Sequence, residues 1–257
     1  MRGFFAALFI IFGAALCNPV AFAQSPMQPP PYGDYRVPKG ANINDINTPR
    51  LYDPYRLPED RVVKKGPLAP SVSDRQALAS FLRTKNTGLI RLLSREEAQA
   101  ELKSGTKTQH SIPGGGIFYS FIELSHAYPY VSDISLADGN LSAGVAGILT
   151  RLGDVPLEGI TAADPRALFI STYTPSRDLL TAQAERSRFR QGLSVDGAVY
   201  STRLPAEESA TYLLRSIVCR RSDILVAFRV VKKESNGSVT LAWKLLKKYP
   251  VPKLSRS

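Results

Sequence analysis

Asn236-Gly237 divides two apolar, β-branched and aromatic runs, and that arrangement leaves the chain little choice but a tight β-hairpin. Both central residues of a type I′ turn need positive φ, which asparagine tolerates and glycine adopts freely. A two-residue turn there sets a register. Ser235 faces Ser238, Val231 faces Ala242, Val230 faces Trp243, Arg229 faces Lys244, and Phe228 faces Leu245. Side chains alternate across a strand. One face therefore collects Val226, Phe228, Val230, Val239, Leu241, Trp243 and Leu245, a core surface. The other collects Arg229, Lys233, Thr240 and Lys244 among smaller apolar residues. Residues 211–219 read as a third strand, joined through the polar turn at 220–223. The expectation is a three-stranded antiparallel meander with one buried face.

The same stretch holds the charge. Residues 211–257 carry eleven Lys/Arg against two acids, Asp223 and Glu234, which accounts for nine of the chain's net eleven positive charges. Arg229, Lys233 and Lys244 on one solvent face are the candidate ligands for something anionic. The competing reading is a solvated basic face that blunts edge-to-edge strand pairing.

At the N-terminus, Arg2 precedes an uncharged apolar run over 4–16, and Ala21-Phe22-Ala23 supplies a small-x-small cleavage pattern. These are the parts of a signal peptide spanning 1–23, and the run is too short for an ordinary membrane span. Cleavage after Ala23 predicts an exported protein, periplasmic or extracellular, without a transmembrane helix. The mature chain then holds one cysteine, Cys219, which reads as a buried thiol. Residues 24–70 contain ten of the nineteen prolines, with Tyr32, Tyr35, Tyr52 and Tyr55 spaced among them. Such a stretch lacks apolar periodicity and cannot form ladders, so it reads as an extended or disordered spacer.

The remaining chain, 71–250, reads as one α+β domain followed by a basic tail at 251–257. Ser71 or Ser73 can cap a helix ending near Thr84, and Ser94 with Glu97 forms a capping box for a helix ending near Ser104. Residues 117–125 and 166–173 read as buried strands. Residues 130–137 and 141–150 form a hairpin across Asp138-Gly139, with Leu136 facing Leu141 and Ile134 facing Ala143. Thr174-Pro175 opens a helix that Gly192 can close, and 198–203 is a short strand. The architecture expected is a mostly antiparallel meander sheet packed by two or three helices.

Chemistry is sparse. Pro113-Gly114-Gly115-Gly116 lacks the Gly-Lys-Ser/Thr continuation of a phosphate-binding loop and reads as a turn. Glu123 and His126 stand three apart, a spacing that converges on a helix but diverges on a strand, and this segment reads as a strand. The sequence predicts no metal and no other cofactor. Glu123, His126 and Asp133, with Ser120, Ser125 or Ser132, are the candidate groups for a hydrolase, although no G-x-S-x-G elbow marks a nucleophile. Nucleic acid is disfavoured as a partner, because Phe228 and Trp243 fall on the core face rather than among the basic residues. The leading expectation is a non-catalytic exported binding or structural module whose basic hairpin contacts an anionic surface: a lipid headgroup, a wall polymer or an acidic envelope protein. The alternative is an exported hydrolase at Glu123, His126 and Asp133.

Overall fold

The computed structural model describes residue 63 and residues 66–103, 116–126, 132–144, 146–253 and 255. The leader, the proline-rich arm up to residue 62 and the glycines at 114 and 115 lie outside the described residues. In chain order the helices are α1 (Val72–Ala77), α2 (Ala79–Leu82), α3 (Arg95–Lys103), α4 (Leu168–Thr172) and α5 (Leu179–Gln191). The strands are β1 (Thr87–Leu92), β2 (Phe118–Tyr119), β3 (Ile134–Ala137), β4 (Asn140–Ala143), β5 (Ile148–Gly153), β6 (Leu193–Val195), β7 (Ala198–Ser201), β8 (Arg203–Pro205), β9 (Thr211–Val218), β10 (Ser222–Lys233) and β11 (Val239–Lys248). The fold is α+β. A seven-stranded sheet runs β1-β11-β10-β9-β5-β7-β6 and a four-stranded sheet runs β2-β3-β4-β8, with every pairing between these strands antiparallel.

The Asn-Gly hairpin forms, with a different register. Three residues rather than two make the loop: the Glu234 N–H donates to the Ser238 carbonyl (2.8 Å) and the Gly237 N–H donates back to Glu234 (2.9 Å), with Gly237 at φ +85°. The register then slips at Val231, so that Val230 pairs with Leu241 and Lys232 with Thr240. Each irregularity moves the pairing by one residue. Phe228 therefore faces Trp243 instead of Leu245, and Arg229 faces Ala242 instead of Lys244. A slip of two preserves the alternation of faces. Val226, Phe228, Val230, Val239, Leu241 and Trp243 are accordingly all buried in one cluster, with Leu245 packed against it.

The expectation of a single buried face fails. On one side the long sheet packs against the short one, burying Ile134, Leu136 and Leu141 on Leu214, Val226 and Phe228. On the other side Leu213, Leu225, Ala227 and Ala242 meet Phe81, Ile170 and Phe189 from α2, α4 and α5. β9 and β10 are thus apolar runs buried on both faces, a pattern more usual for central strands of layered α/β sheets.

Three local expectations fail for identifiable reasons. The segment 117–125 is strand only at Phe118–Tyr119 and then turns, with Leu124 at φ +53°. The Asp133 carboxylate draws it in, accepting from the Ser120 hydroxyl (3.1 Å), the Phe121 N–H (2.7 Å) and the Ile122 N–H. Residues 166–172 are helical, because Asp164 accepts from the Arg166 N–H (2.9 Å) and Pro165 sits at the first helical position, a start signal that outweighs the apolar run. The arm 141–150 divides between the two sheets around Gly144 and Gly147. A Cβ on Gly144 would lie 2.4 Å from the Ser132 carbonyl oxygen, so the backbone crossing there admits only glycine. Leu136 does pair with Leu141, and Ile134 with Ala143. Ser71, Ser94 and Gly192 sit at the ends of helices as the sequence indicates, with Asp178 capping α5.

Ion pairs close the sheet where apolar contacts stop. Arg215, 1% exposed, pairs through Nε and Nη2 with Asp223, donates from Nη1 to the Ile170 carbonyl (3.2 Å) and stacks on the Tyr249 ring. Arg91 on β1 grips Glu234 at 2.7 and 2.5 Å and Glu97 at 2.9 Å, while Glu97 also accepts from Ser238 (2.5 Å) and Asn236 (3.0 Å). Hydrogen bonding from Arg91 holds the Glu234 carboxyl below its ordinary range. A depressed carboxyl contributes stability above its unfolded value that is lost as pH falls through the folded one. Glu234→Gln should therefore cost about 1 kcal/mol at pH 7 in urea denaturation. That gap should close as pH falls below the ordinary glutamate value of 4.5. A gap that persists unchanged into acid would show that the pair is not the source.

Candidate functional site

The three cations singled out in the hairpin do not share a surface. Arg229 and Lys244 point to the helical side. Arg229 donates to the Asp154 carboxylate (2.6 Å) and the Val155 carbonyl (3.0 Å), and Lys244 donates to the carbonyls of Glu158 (3.0 Å) and Ile160 (3.2 Å). Lys233, beyond the slip at Val231, pairs with the core residue Val239, and its Nζ reaches the Ala206 carbonyl (3.1 Å) on the opposite side. All three act as staples between β10 or β11 and neighbouring loops.

Glu123, His126 and Asp133 are each drawn to different partners. Glu123 pairs with Arg221 at 2.8 Å. Asp133, 1% exposed, accepts from Ser216 (2.6 Å), Ser120 and Phe121, and thereby joins the 118–126 segment to β9. Burial raises its pKa, and those hydrogen bonds oppose the rise. His126 is buried, places Nε2 at 2.8 Å from the Arg91 carbonyl oxygen and packs edge-on to Tyr119. Burial, with a smaller contribution from Asp133, pushes the Tyr119 hydroxyl up. The groups cooperate structurally, fixing the turn over β1. Among the described residues no cluster of three or more His, Cys, Asp or Glu is placed to hold a metal, and no helix is long and apolar enough to cross a membrane. Cys219 is half-buried, and burial pushes its thiol up, away from nucleophilic form.

The turn that Asp133 imposes opens a cavity of about 430 Å³ beside β1 and β11. Its wall is mostly apolar: Leu82 and Leu89 from one side, Phe121, Ile122 and Leu124 from the turn, and Trp243 and Leu245 from β11. Trp243 and Phe121 meet edge to face at 5.3 Å, and Phe121 meets Tyr119 likewise at 5.3 Å. The volume lies within the range of about 300–1,000 Å³ usual for small-molecule sites. Arg75 and Lys248 also line it, and no carboxylate does among the described residues.

Trp243 is positioned by a glycine. Gly88 on β1 pairs with it across the ladder, and a Cβ on Gly88 would lie 2.6 Å from the indole Cε2 and Nε1. The ring lies against bare backbone, and its Nε1–H is buried without an acceptor among the described residues. Such an orphan costs about 1–3 kcal/mol, which a purely structural tryptophan would gain by avoiding. Sequence reasoning placed Trp243 on a core face and did not find the cavity. The signal was the adjacency of Gly88 to the chain's one tryptophan, legible only once β1 is paired with β11.

Comparison with protein-family models, curated proteins and solved structures gives no match.

Gly88→Ala should displace the indole. We expect a loss of about 1–3 kcal/mol in stability and a shift of the single-tryptophan emission. Emission and stability both unchanged would mean that the indole does not rest on Gly88.

Proposed function

We propose that the protein is an exported, non-catalytic binding module of one α+β domain, whose ligand occupies the cavity beside Trp243. The observation that carries this reading is the cavity itself: an apolar, aromatic-lined hollow of about 430 Å³ closed on one side by a tryptophan whose indole N–H has no acceptor among the described residues. Export rests on the leader pattern of Arg2, the apolar run and Ala21-Phe22-Ala23. Against the hydrolytic reading, Glu123 and Asp133 are held by Arg221 and by Ser216 and Ser120, and neither lines the cavity. Against the hairpin as an anion-binding face, Arg229, Lys233 and Lys244 lie on two sides and bond to neighbouring loops.

The test uses Trp243 as the reporter. The mature chain is titrated with the uncharged fluorophore N-phenyl-1-naphthylamine, which accepts energy from tryptophan. Saturable transfer is expected, weakened about tenfold or more in Leu245→Asn, because a polar amide there loses the transfer energy of a buried apolar side chain. Absence of saturable transfer in a folded wild-type protein would remove the cavity as a binding site.

A further inference from the structure

The charge around the cavity specifies what it takes. Among its described lining residues are two cations, Arg75 and Lys248, no anion, and a majority of apolar side chains. The hairpin cations Arg229, Lys233 and Lys244 bond to neighbouring loops and do not line the cavity, whereas Arg75 and Lys248 do. Lys248, at the end of β11, is exposed and has no ion pair among the described residues. Its strand partner is Ile224, a residue of the core cluster that includes Trp243, so it stands on the cavity side of the sheet. Arg75 donates from Nε to Pro70 (3.2 Å) and from Nη2 to Val63 (2.8 Å), both neutral carbonyls that fix the guanidinium, and it has no carboxylate partner among the described residues. An apolar pocket lined by two cations that have no carboxylate partner among the described residues complements a molecule that is apolar along most of its length and negative at one end.

We propose that the cavity binds a free single-chain amphipathic acid, such as a medium-chain alkyl carboxylate, with the chain against Phe121, Trp243 and Leu245 and the acid group toward Lys248 and Arg75. The inference rests on the cavity being the binding site. Ion pairing at a half-open mouth contributes modestly and is screened by salt, whereas burial of the chain supplies most of the affinity. Discrimination between an acid and its uncharged analogue is therefore expected to be about fivefold to tenfold at low ionic strength.

The experiment displaces bound N-phenyl-1-naphthylamine from the mature chain with decanoate, decanol or decyltrimethylammonium at low and high salt. Decanoate should compete best, with its advantage over decanol falling at high salt and in Lys248→Met. That variant keeps an aliphatic stem, and the advantage of decanoate over decanol is read within it against the same probe, so that a change in the affinity of the probe itself cancels. Equal competition by decanoate and decanol would overturn the proposal while leaving the cavity reading standing. Failure of the probe to bind a folded protein would overturn both. Displacement by phosphatidylglycerol vesicles where decanoate fails would replace the free acid with a membrane surface and so contradict the assignment.

Discussion

Burial of both faces of β9, β10 and β11 is the constraint on which the rest of the structure depends. The apolar alternation of the hairpin fills one face against the short sheet, and the smaller residues on the other face, Ala227 and Ala242, allow the helices to approach. Once neither face is left to solvent, cations such as Arg229 and Lys244 must be satisfied at the margins of the helical layer, and each finds a loop carbonyl or carboxylate. Arg215, fully enclosed, needs both oxygens of Asp223 and the ring of Tyr249. A buried arginine without such a partner would cost several kcal/mol.

The cavity follows from the same packing. The short sheet covers the long one, but residues 120–126 are pulled aside by Asp133, whose carboxylate gathers Ser120, Phe121 and Ser216. That turn holds Phe121 edge-on to Trp243 without closing over Leu89 and Leu245. His126 anchors the far end of the turn on the Arg91 carbonyl, and Arg91 in turn grips Glu97 and Glu234. The polar residues that the sequence offered for a hydrolase are thus the frame of the cavity, and its wall is made by apolar neighbours.

Periodicity made the core face of the hairpin legible, because a register slip of two leaves its apolar side chains on their own face. The slip itself was not legible: nothing in Val-Val-Lys-Lys announces an irregularity at Val231, yet it is what sends Lys233 to the side opposite Arg229. The Asp138-Gly139 hairpin was read correctly, whereas Asp196-Gly197, both at positive φ and joining β6 to β7, carried the same signal and was passed over. In residues 166–172 the helix start at Asp164-Pro165 outweighs the apolar run, whose composition alone points to a strand. The cavity needed the pairing of β1 with β11, a contact between segments some 150 residues apart that no local pattern encodes.

The central claim is that Trp243, not the cations Arg229, Lys233 and Lys244, faces the ligand, and the chain's single tryptophan makes it directly measurable. In a two-dimensional ¹H–¹⁵N correlation spectrum the indole N–H gives one resolvable peak. Titration with decanoate is predicted to move that peak saturably, together with the amides of Gly88 and Phe121, while those of Arg229 and Lys233 stay in place. Movement confined to the hairpin amides, with the indole peak fixed, would contradict the account.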